Sequence, residues 1–437
     1  MDFQVVRLCL FTRLGVTLLA VAANFLPDHE SADAFRNDLL ARYPVDQRST
    51  LDRAILWWAE PLTRWDAQYF LEIAHENGYR EEQTLAFFPM FPLLVRYVGL
   101  GLQRAILFHF PTAQLSFISS LMLAAYLVNL VAFTLAGWFL YQLTYTVSHS
   151  RAQSYRAVKI FAFNPASIFF TAYYTESLFS CLTFGSLYFL YHYNLSVVSS
   201  VLIALSAYTR SNGVVTFPFI AFSNLIHMLS MAKGARASPA YLSLRFFTVT
   251  ALEALICLIP PVLFQWSAWV QFCRDTTTTS SSSSSPKPVW CQGDTFSLPY
   301  SYVQGTYWEN GFLRYYQLKK IPNFLMAAPT LLLVITSTLL YLRRHRHHLL
   351  ALLVDHFSPS YNPQLSITAL TEHSAYVVQH QPQPQTQPQQ QPQQQSQPPA
   401  KPQEYKRNDL FQQPCLLPFA LHALFLATFC LLFMHVE

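Results

Sequence analysis

Residues 115–145, LSFISSLMLAAYLVNLVAFTLAGWFLYQLTY, contain no Asp, Glu, Lys or Arg. A bilayer core takes roughly 20 apolar residues per helical span. This run is too long for a helix standing perpendicular to the membrane, so it is expected to tilt or to extend past the bilayer. Similar runs lie near 7–26, 158–173, 176–193, 198–212, 213–230, 246–269, 322–342 and 415–435, which makes about nine spans. The fold class they predict is all-α, a polytopic integral membrane protein.

Composition agrees with that reading. The 437 residues are 52% hydrophobic, 16% aromatic and 12% charged, whereas a soluble domain carries about 25% charged residues. Much of the surface therefore does not face water. Phe 36 and Tyr 24 against Gly 11 exclude a Gly-rich nucleotide-binding protein. The net charge of +5 is spread along the chain, not striped as nucleic-acid binding requires. Seven cysteines in such a length make no disulfide framework. Only Cys273 and Cys291, which bracket a polar loop, are candidate partners in an oxidising compartment.

Residues 5–26, VVRLCLFTRLGVTLLAVAANFL, have basic residues ahead of an apolar run, as a signal peptide does. Pro27-Asp28-His29-Glu30 follows in place of a small-residue cleavage site, so the segment reads as a retained first span. Arg7 and Arg13, the basic stretches 149–159 and 233–236, and Arg343-Arg344-His345-Arg346 then fall on one side, the cytosolic side by the positive-inside rule. Segments 27–114, 173–175 and 270–321 fall on the other. Asn194-Leu195-Ser196, a glycosylation sequon, lies on the cytosolic side and is expected to carry no glycan.

Three parts follow: a membrane core, 1–354; a linker, 355–410, rich in Gln and Pro and unable to bury apolar surface; and a last helix in 411–437. A Thr/Ser run at 276–285 reads as an insertion in a loop.

The chemistry concentrates in the first long loop. Residues 64–96 read RWDAQYFLEIAHENGYREEQTLAFFPMFPLLVR. Trp65, Tyr69 and Ile73 recur at helical spacing, which suits an amphipathic helix in the membrane interface. Asp66 lies one residue from that stripe, at the boundary of water and lipid. A carboxylate there can take a proton from a hydroxyl that attacks an anomeric carbon, and a phosphate leaving group then needs a cation or donors nearby. The plain alternative is that Asp66 caps a helix or is simply solvated.

This stretch closely resembles the first luminal loop of the GPI mannosyltransferase 2 family, which adds the second mannose of the glycosylphosphatidylinositol (GPI) anchor. The resemblance rests on Arg64, Trp65, Asp66, Phe70, Ile73, Ala74, Gly78, Tyr79, Glu82 and the Ala86-Phe87-Phe88-Pro89 to Pro92 run. It continues through Phe163-Asn164-Pro165-Ala166, Tyr174-Thr175-Glu176-Ser177 and Arg210-Ser211-Asn212-Gly213. Phe272-Cys273 and Trp290-Cys291 resemble the family's paired luminal cysteines, and His422 and Met434-His435-Val436 its late motif. The family continues beyond that motif into another helix while this sequence ends at Glu437, so the last helix is expected to be C-terminally truncated.

The resemblance implies the GT-C class of glycosyltransferase, with interfacial helices in the first luminal loop, in the endoplasmic reticulum membrane. It implies transfer of mannose from dolichyl-phosphate-mannose, with inversion, to the GPI lipid intermediate. Asp66 is then the catalytic base. Arg64, Trp65, Glu82, Glu176, Arg210 and Asn212 are the substrate-binding candidates. Glu82 binds sugar hydroxyls or caps a helix. Glu176 holds acceptor hydroxyls or partners Arg210, and Arg210 grips a phosphate or completes that pair. Asn164 and Asn212 alternatively satisfy backbone at broken helices, and His422 reads as a packing residue. No metal-ligand spacing occurs, so a divalent metal requirement stays open. Membrane lipids and an accessory membrane subunit are the other implied partners, and nucleic acid is not one. Rival readings are another dolichyl-phosphate-sugar transferase and a lipid transporter; the latter would want an internal repeat, which the sequence lacks.

Overall fold

The computed structural model describes residues 2–26, 48–110, 115–233, 238–274, 288–291, 298–314, 316–346 and 416–433. The Gln/Pro-rich linker, the Thr/Ser run and Met434-His435-Val436 lie outside them. Among the described residues every regular element is helical: α1 (Phe3–Ala23), α2 (Thr50–Ala59), α3 (Ala67–Glu76), α4 (Met90–His109), α5 (Phe117–Ser148), α6 (Arg151–Ala162), α7 (Glu176–Tyr193), α8 (Ser196–Thr209), α9 (Phe217–Lys233), α10 (Pro239–Cys273), α11 (Pro299–Tyr307), α12 (Ile321–Arg344) and α13 (Leu417–Phe433), with short 3-10 turns between some of them.

Local chemistry explains several boundaries. Ser49, Ser116, Ser150 and Ser238 precede α2, α5, α6 and α10, and each hydroxyl accepts the backbone N–H three residues on. That bond satisfies one of the donors a helix start leaves open. α3, α5 and α7 stop at Asn77, His149 and Asn194, all in the left-handed region, where a helix turns off its axis.

Among the described residues six helical stretches are long and apolar enough to cross a membrane: Phe3–Ala23, Met90–His109, Phe117–Ser148, Ser211–Leu229, Pro239–Cys273 and Leu318–Arg344. Two shorter apolar helices, α8 and α13, accompany them. Their outward faces carry large apolar side chains such as Phe11, Leu18, Phe247, Leu263, Met326 and Leu333. Exposed apolar surface on this scale is what lipid, not water, tolerates. The chain is a membrane protein.

α5 is the central post. It packs against α1, α2, α3, α4, α6 and α7, while α8 packs between α7 and α10. Its length of 32 residues matches the long run of the sequence, and its first turns extend into contact with the first loop. There the Asp52 carboxylate of α2 accepts from the Ser116 N–H (2.9 Å) and hydroxyl (3.0 Å).

One expectation needs correction, and one helix was not foreseen. The span expected at 158–173 is not one helix: α6 ends at Ala162 and a 3-10 turn, Ser167–Phe170, follows after a break. Pro165 removes a backbone donor and disfavours a helix at Asn164 before it. The segment nevertheless runs from one face of the molecule to the other. Near its start, Arg151 and Asp2 both lie beside Tyr141; at its end the Tyr173 N–H donates to Leu62 O in the first loop (3.3 Å). Irregular backbone inside a membrane protein is tolerated only where protein satisfies it, and here Arg13 and Asn129 do so. Arg13, 1% exposed, donates to Ala162 O (3.0 Å), Ser167 O (2.7 Å) and Thr171 Oγ1 (3.0 Å), with its guanidinium 4.0 Å from the Phe133 ring centre. Asn129 Nδ2 donates to Ala172 O (2.6 Å) and Tyr174 O (3.1 Å).

The unforeseen element is α4, a helix within the first loop that is long and apolar enough to cross a membrane but whose last turns stay beside the start of α5, where Gln103 donates to Leu115 O (3.0 Å). Arg96, Arg104 and two glycines interrupt its apolar run and hid it. Gly99 lets it lie close on Leu121 of α5, and Arg96 holds the end of α3 through Ala74 O (2.8 Å) and His75 O (2.7 Å).

Candidate active site

The first loop turns sharply just before α3. Trp65 has φ 56°, a left-handed conformation that costs a bulky residue about 1–2 kcal/mol. It lies outside the helix and is 61% exposed. The buried face of α3 is Ala67, Phe70, Leu71 and Ala74, with Ile73 beside it. The stripe read as Trp65, Tyr69 and Ile73 is thus displaced: the helix packs into protein and the tryptophan is presented outward.

Asp66 follows directly, at the start of α3, and is half-buried. Its side chain makes no capping bond to that helix. The Asp66 N–H donates to the Tyr174 hydroxyl (3.2 Å), and that hydroxyl donates to Arg64 O (3.3 Å). Two such bonds contribute about 0.5–1.5 kcal/mol each, enough to offset the left-handed residue between them. Arg64 extends its side chain to Glu60 (3.4 Å), both of them solvent-exposed.

Two residues beyond Tyr174, at the mouth of α7, the Glu176 carboxylate pairs with Arg210, and Arg210 also reaches Thr175 Oγ1 (3.2 Å). Arg210 stands where α8 ends and a 3-10 turn, Ser211–Thr216, begins. Gly213 allows that turn to press on the last turns of α8, because a Cβ there would collide with the backbone of Ser206 and Ala207. Next to it the Ser211 hydroxyl meets the Tyr300 hydroxyl of α11 (2.8 Å). Asn212 is exposed on the same turn.

Glu82 neither caps a helix with its side chain nor stands alone. One carboxylate oxygen accepts from Trp290 Nε1 (3.1 Å) and the other from the Tyr307 hydroxyl. Burial, then the Glu82 carboxylate beside it, pushes the Tyr307 phenol up to about 12, so it stays protonated and keeps donating at neutral pH. Trp290 adjoins Cys291, which is disulfide-bonded to Cys273 at the end of α10, and Gln271 of α10 donates to Tyr79 O. Burial also raises the Tyr79 phenol, which donates to Phe87 O (2.8 Å). Tyr69 stacks on Phe87 (4.5 Å between ring centres), and Trp308 meets that ring edge-on (5.7 Å). Glu82 therefore ties the first loop to the segment after α10.

Of the candidates named from the sequence, Arg64, Trp65 and Asp66 share one turn, and Tyr174 links that turn to the segment bearing the Glu176–Arg210 pair. Glu82 belongs to a second cluster with Trp290 and Tyr307. Asn164 donates to Phe161 O (3.2 Å) at the broken span, and His422 lies 5.0 Å from the Phe219 ring. Sequence reasoning gave no role to Tyr174 or Asn129, and it counted Arg13 among the cytosolic basic residues, whereas Arg13 is buried within α1. A lone arginine inside an apolar run is itself a signal, and Arg13 carried it. Among the described residues no three His, Cys, Asp or Glu side chains group as metal ligands. The candidate site offers carboxylates, a guanidinium and aromatic faces at the end of a bundle.

The family described as Mannosyltransferase (PIG-V) matches residues 3–437. This chain belongs to that family. It is an enzyme, a glycosyltransferase of the mannosyl class. It is 34% identical over 381 residues to the Mus musculus protein named GPI alpha-1,6-mannosyltransferase 2, covering 83% of this chain and 73% of that one. To the Homo sapiens protein of the same name it is 33% identical over 360 residues, 78% of this chain and 69% of that one. The Drosophila melanogaster GPI mannosyltransferase 2 is 32% identical over 354 residues, 76% and 74% of the two chains. No solved structure matches this mannosyltransferase.

Proposed function

We propose that this mannosyltransferase transfers the second mannose, α-1,6-linked, from dolichyl-phosphate-mannose to the mono-mannosylated GPI intermediate, on the luminal face of the endoplasmic reticulum membrane. Family membership and the names of the relatives support the acceptor and the linkage. The observation that carries the mechanism is the turn at Asp66, a half-buried residue whose backbone N–H donates to the Tyr174 hydroxyl, two residues before Glu176 of the Glu176–Arg210 pair.

In this reading Asp66 removes the proton from the acceptor hydroxyl as its oxygen bonds to the anomeric carbon. The carbon–oxygen bond to dolichyl phosphate breaks on the opposite face, which inverts a β-linked donor into an α-linked product. A carboxylate suffices as base because the hydroxyl becomes acidic only as the new bond forms. Arg210 offers its fork of donors to the departing phosphate, while Glu176 orients that guanidinium. Trp65 presents an apolar face to the sugar, and Asn212 and Arg64 offer polar contacts at the rim. Glu82 holds the wall of the site through Trp290 and Tyr307.

The test is loss of the gene followed by lipid analysis. The reading requires accumulation of a GPI lipid bearing one mannose and its clearance when this chain is restored. Accumulation of a shortened N-glycan precursor instead would assign the enzyme to a different acceptor.

A further inference from the structure

We infer that Tyr174 is the positioning residue for the Asp66 base, a role that rests on the proposed chemistry of Asp66. Its hydroxyl accepts from the Asp66 N–H at 3.2 Å and donates to Arg64 O at 3.3 Å. The two peptide groups it engages flank Trp65, the residue with φ 56°. One hydroxyl therefore closes the loop around the left-handed residue and sets where α3 begins. The direction of the Asp66 side chain follows from that backbone. Without the hydroxyl the turn loses two of its bonds and keeps the Gln68 N–H to Trp65 O bond (3.0 Å), and a tryptophan so loosened relaxes toward negative φ.

The tyrosine is itself rigidly mounted. It is 8% exposed, and its ring lies 5.1 Å from Phe169 and 6.5 Å from Phe70, centre to centre. Phe70 is on α3, one turn beyond Asp66, so the ring contacts the helix that the hydroxyl starts. Asn129 of α5 donates to Ala172 O and Tyr174 O at 2.6 and 3.1 Å, and the Tyr173 N–H donates to Leu62 O. The chain of contacts runs from the central helix, through the broken span, into the turn that aims the carboxylate. Tyr174 acts through Asp66, and the two are coupled through the backbone.

Tyr174→Phe removes the hydroxyl and keeps the ring packing. Measured on full-length chain in detergent with dolichyl-phosphate-mannose and a mono-mannosylated GPI acceptor, kcat is expected to fall about 10- to 100-fold, the size of loss that a misplaced reacting group brings. Both KM values should stay within about twofold, with the protein recovered folded and its melting temperature lowered by roughly a few degrees for the two lost bonds. Asn129→Ala, which loosens the mount and leaves the turn untouched, should show the same kcat-selective loss to a smaller degree, and serves if Tyr174→Phe is not recovered. Asp66→Asn is measured in parallel. If Asp66→Asn is inactive while Tyr174→Phe keeps its kcat, or loses only yield and thermal stability, the positioning role is wrong and the base assignment stands. If Asp66→Asn is itself fully active, the base assignment falls and the positioning role falls with it.

Discussion

Arg13 places a guanidinium in the middle of an apolar helix and surrounds it with acceptors from another segment. The pairing is geometric: a flat fork with several N–H bonds meets two backbone carbonyls and two hydroxyls that a broken helix leaves open. Arg13→Met should orphan Ala162 O and Ser167 O, at about 1–3 kcal/mol for each buried acceptor. The expected outcome is a large drop in melting temperature and in steady-state level. Arg13→Lys should recover only part of it, since one ammonium cannot reach all four acceptors. A melting temperature unchanged in Arg13→Met would show that the break needs no such support. Asp66 was legible in the sequence because it sits in an ordered set of motifs, and Glu176 with Arg210 was legible as an alternative pair. Tyr174 was legible only as part of a motif. Its contact with a turn more than a hundred positions away, by way of a hydroxyl, leaves no mark on local spacing.

The helices themselves follow from hydropathy wherever the run is long and unbroken. α1, α5, α7, α12 and α13 fall close to the expected segments, and α10 extends beyond its run at both ends. Two kinds of element were harder. The crossing at 151–174 alternates charge, proline and aromatic residues, and its path depends on Arg13 and Asn129 from other helices. α4 was obscured by two arginines whose functions are tertiary or at the helix surface. α10, with 35 residues and a length of roughly 52 Å, exceeds the bilayer core of about 30 Å and carries its last turns to the first loop. There the Cys273–Cys291 disulfide fixes Trp290 beside Glu82. Sequence placed these two cysteines as candidates, and the structure bonds them. A bridge closing a separation of 18 residues removes about 3 kcal/mol of unfolded-chain entropy. Cys273→Ser with Cys291→Ser should therefore lower the melting temperature by several degrees while the bundle still assembles. An unchanged melting temperature would mean that the polar loop is held by its side-chain bonds alone.

Over the whole molecule, the ends of the helices sort the chemistry to one face. The α7–α8 pair carries Glu176 and Arg210 at one end and Asn194 at the other, and α10 carries Gln271 beside Tyr79 at the first-loop end while its start lies at the opposite end. With the site facing the lumen, Asn194 faces the cytosol and meets no oligosaccharyltransferase. Treatment with an endoglycosidase should therefore leave the mobility of the protein unchanged; a shift lost in Asn194→Gln would reverse the orientation. The apolar outer faces of α1, α10 and α12 suit lipid, and the proposed donor, a lipid-borne sugar, would reach the candidate site from within the bilayer with its head at the charged groups of the bundle's end. The measurement that bears most directly on this account is mannose transfer by Asp66→Asn at matched protein level, using dolichyl-phosphate-mannose and the mono-mannosylated GPI acceptor. Loss of the base predicts a fall in kcat of about 100-fold or more with substrate affinity retained. Transfer within a few-fold of the native enzyme would contradict it.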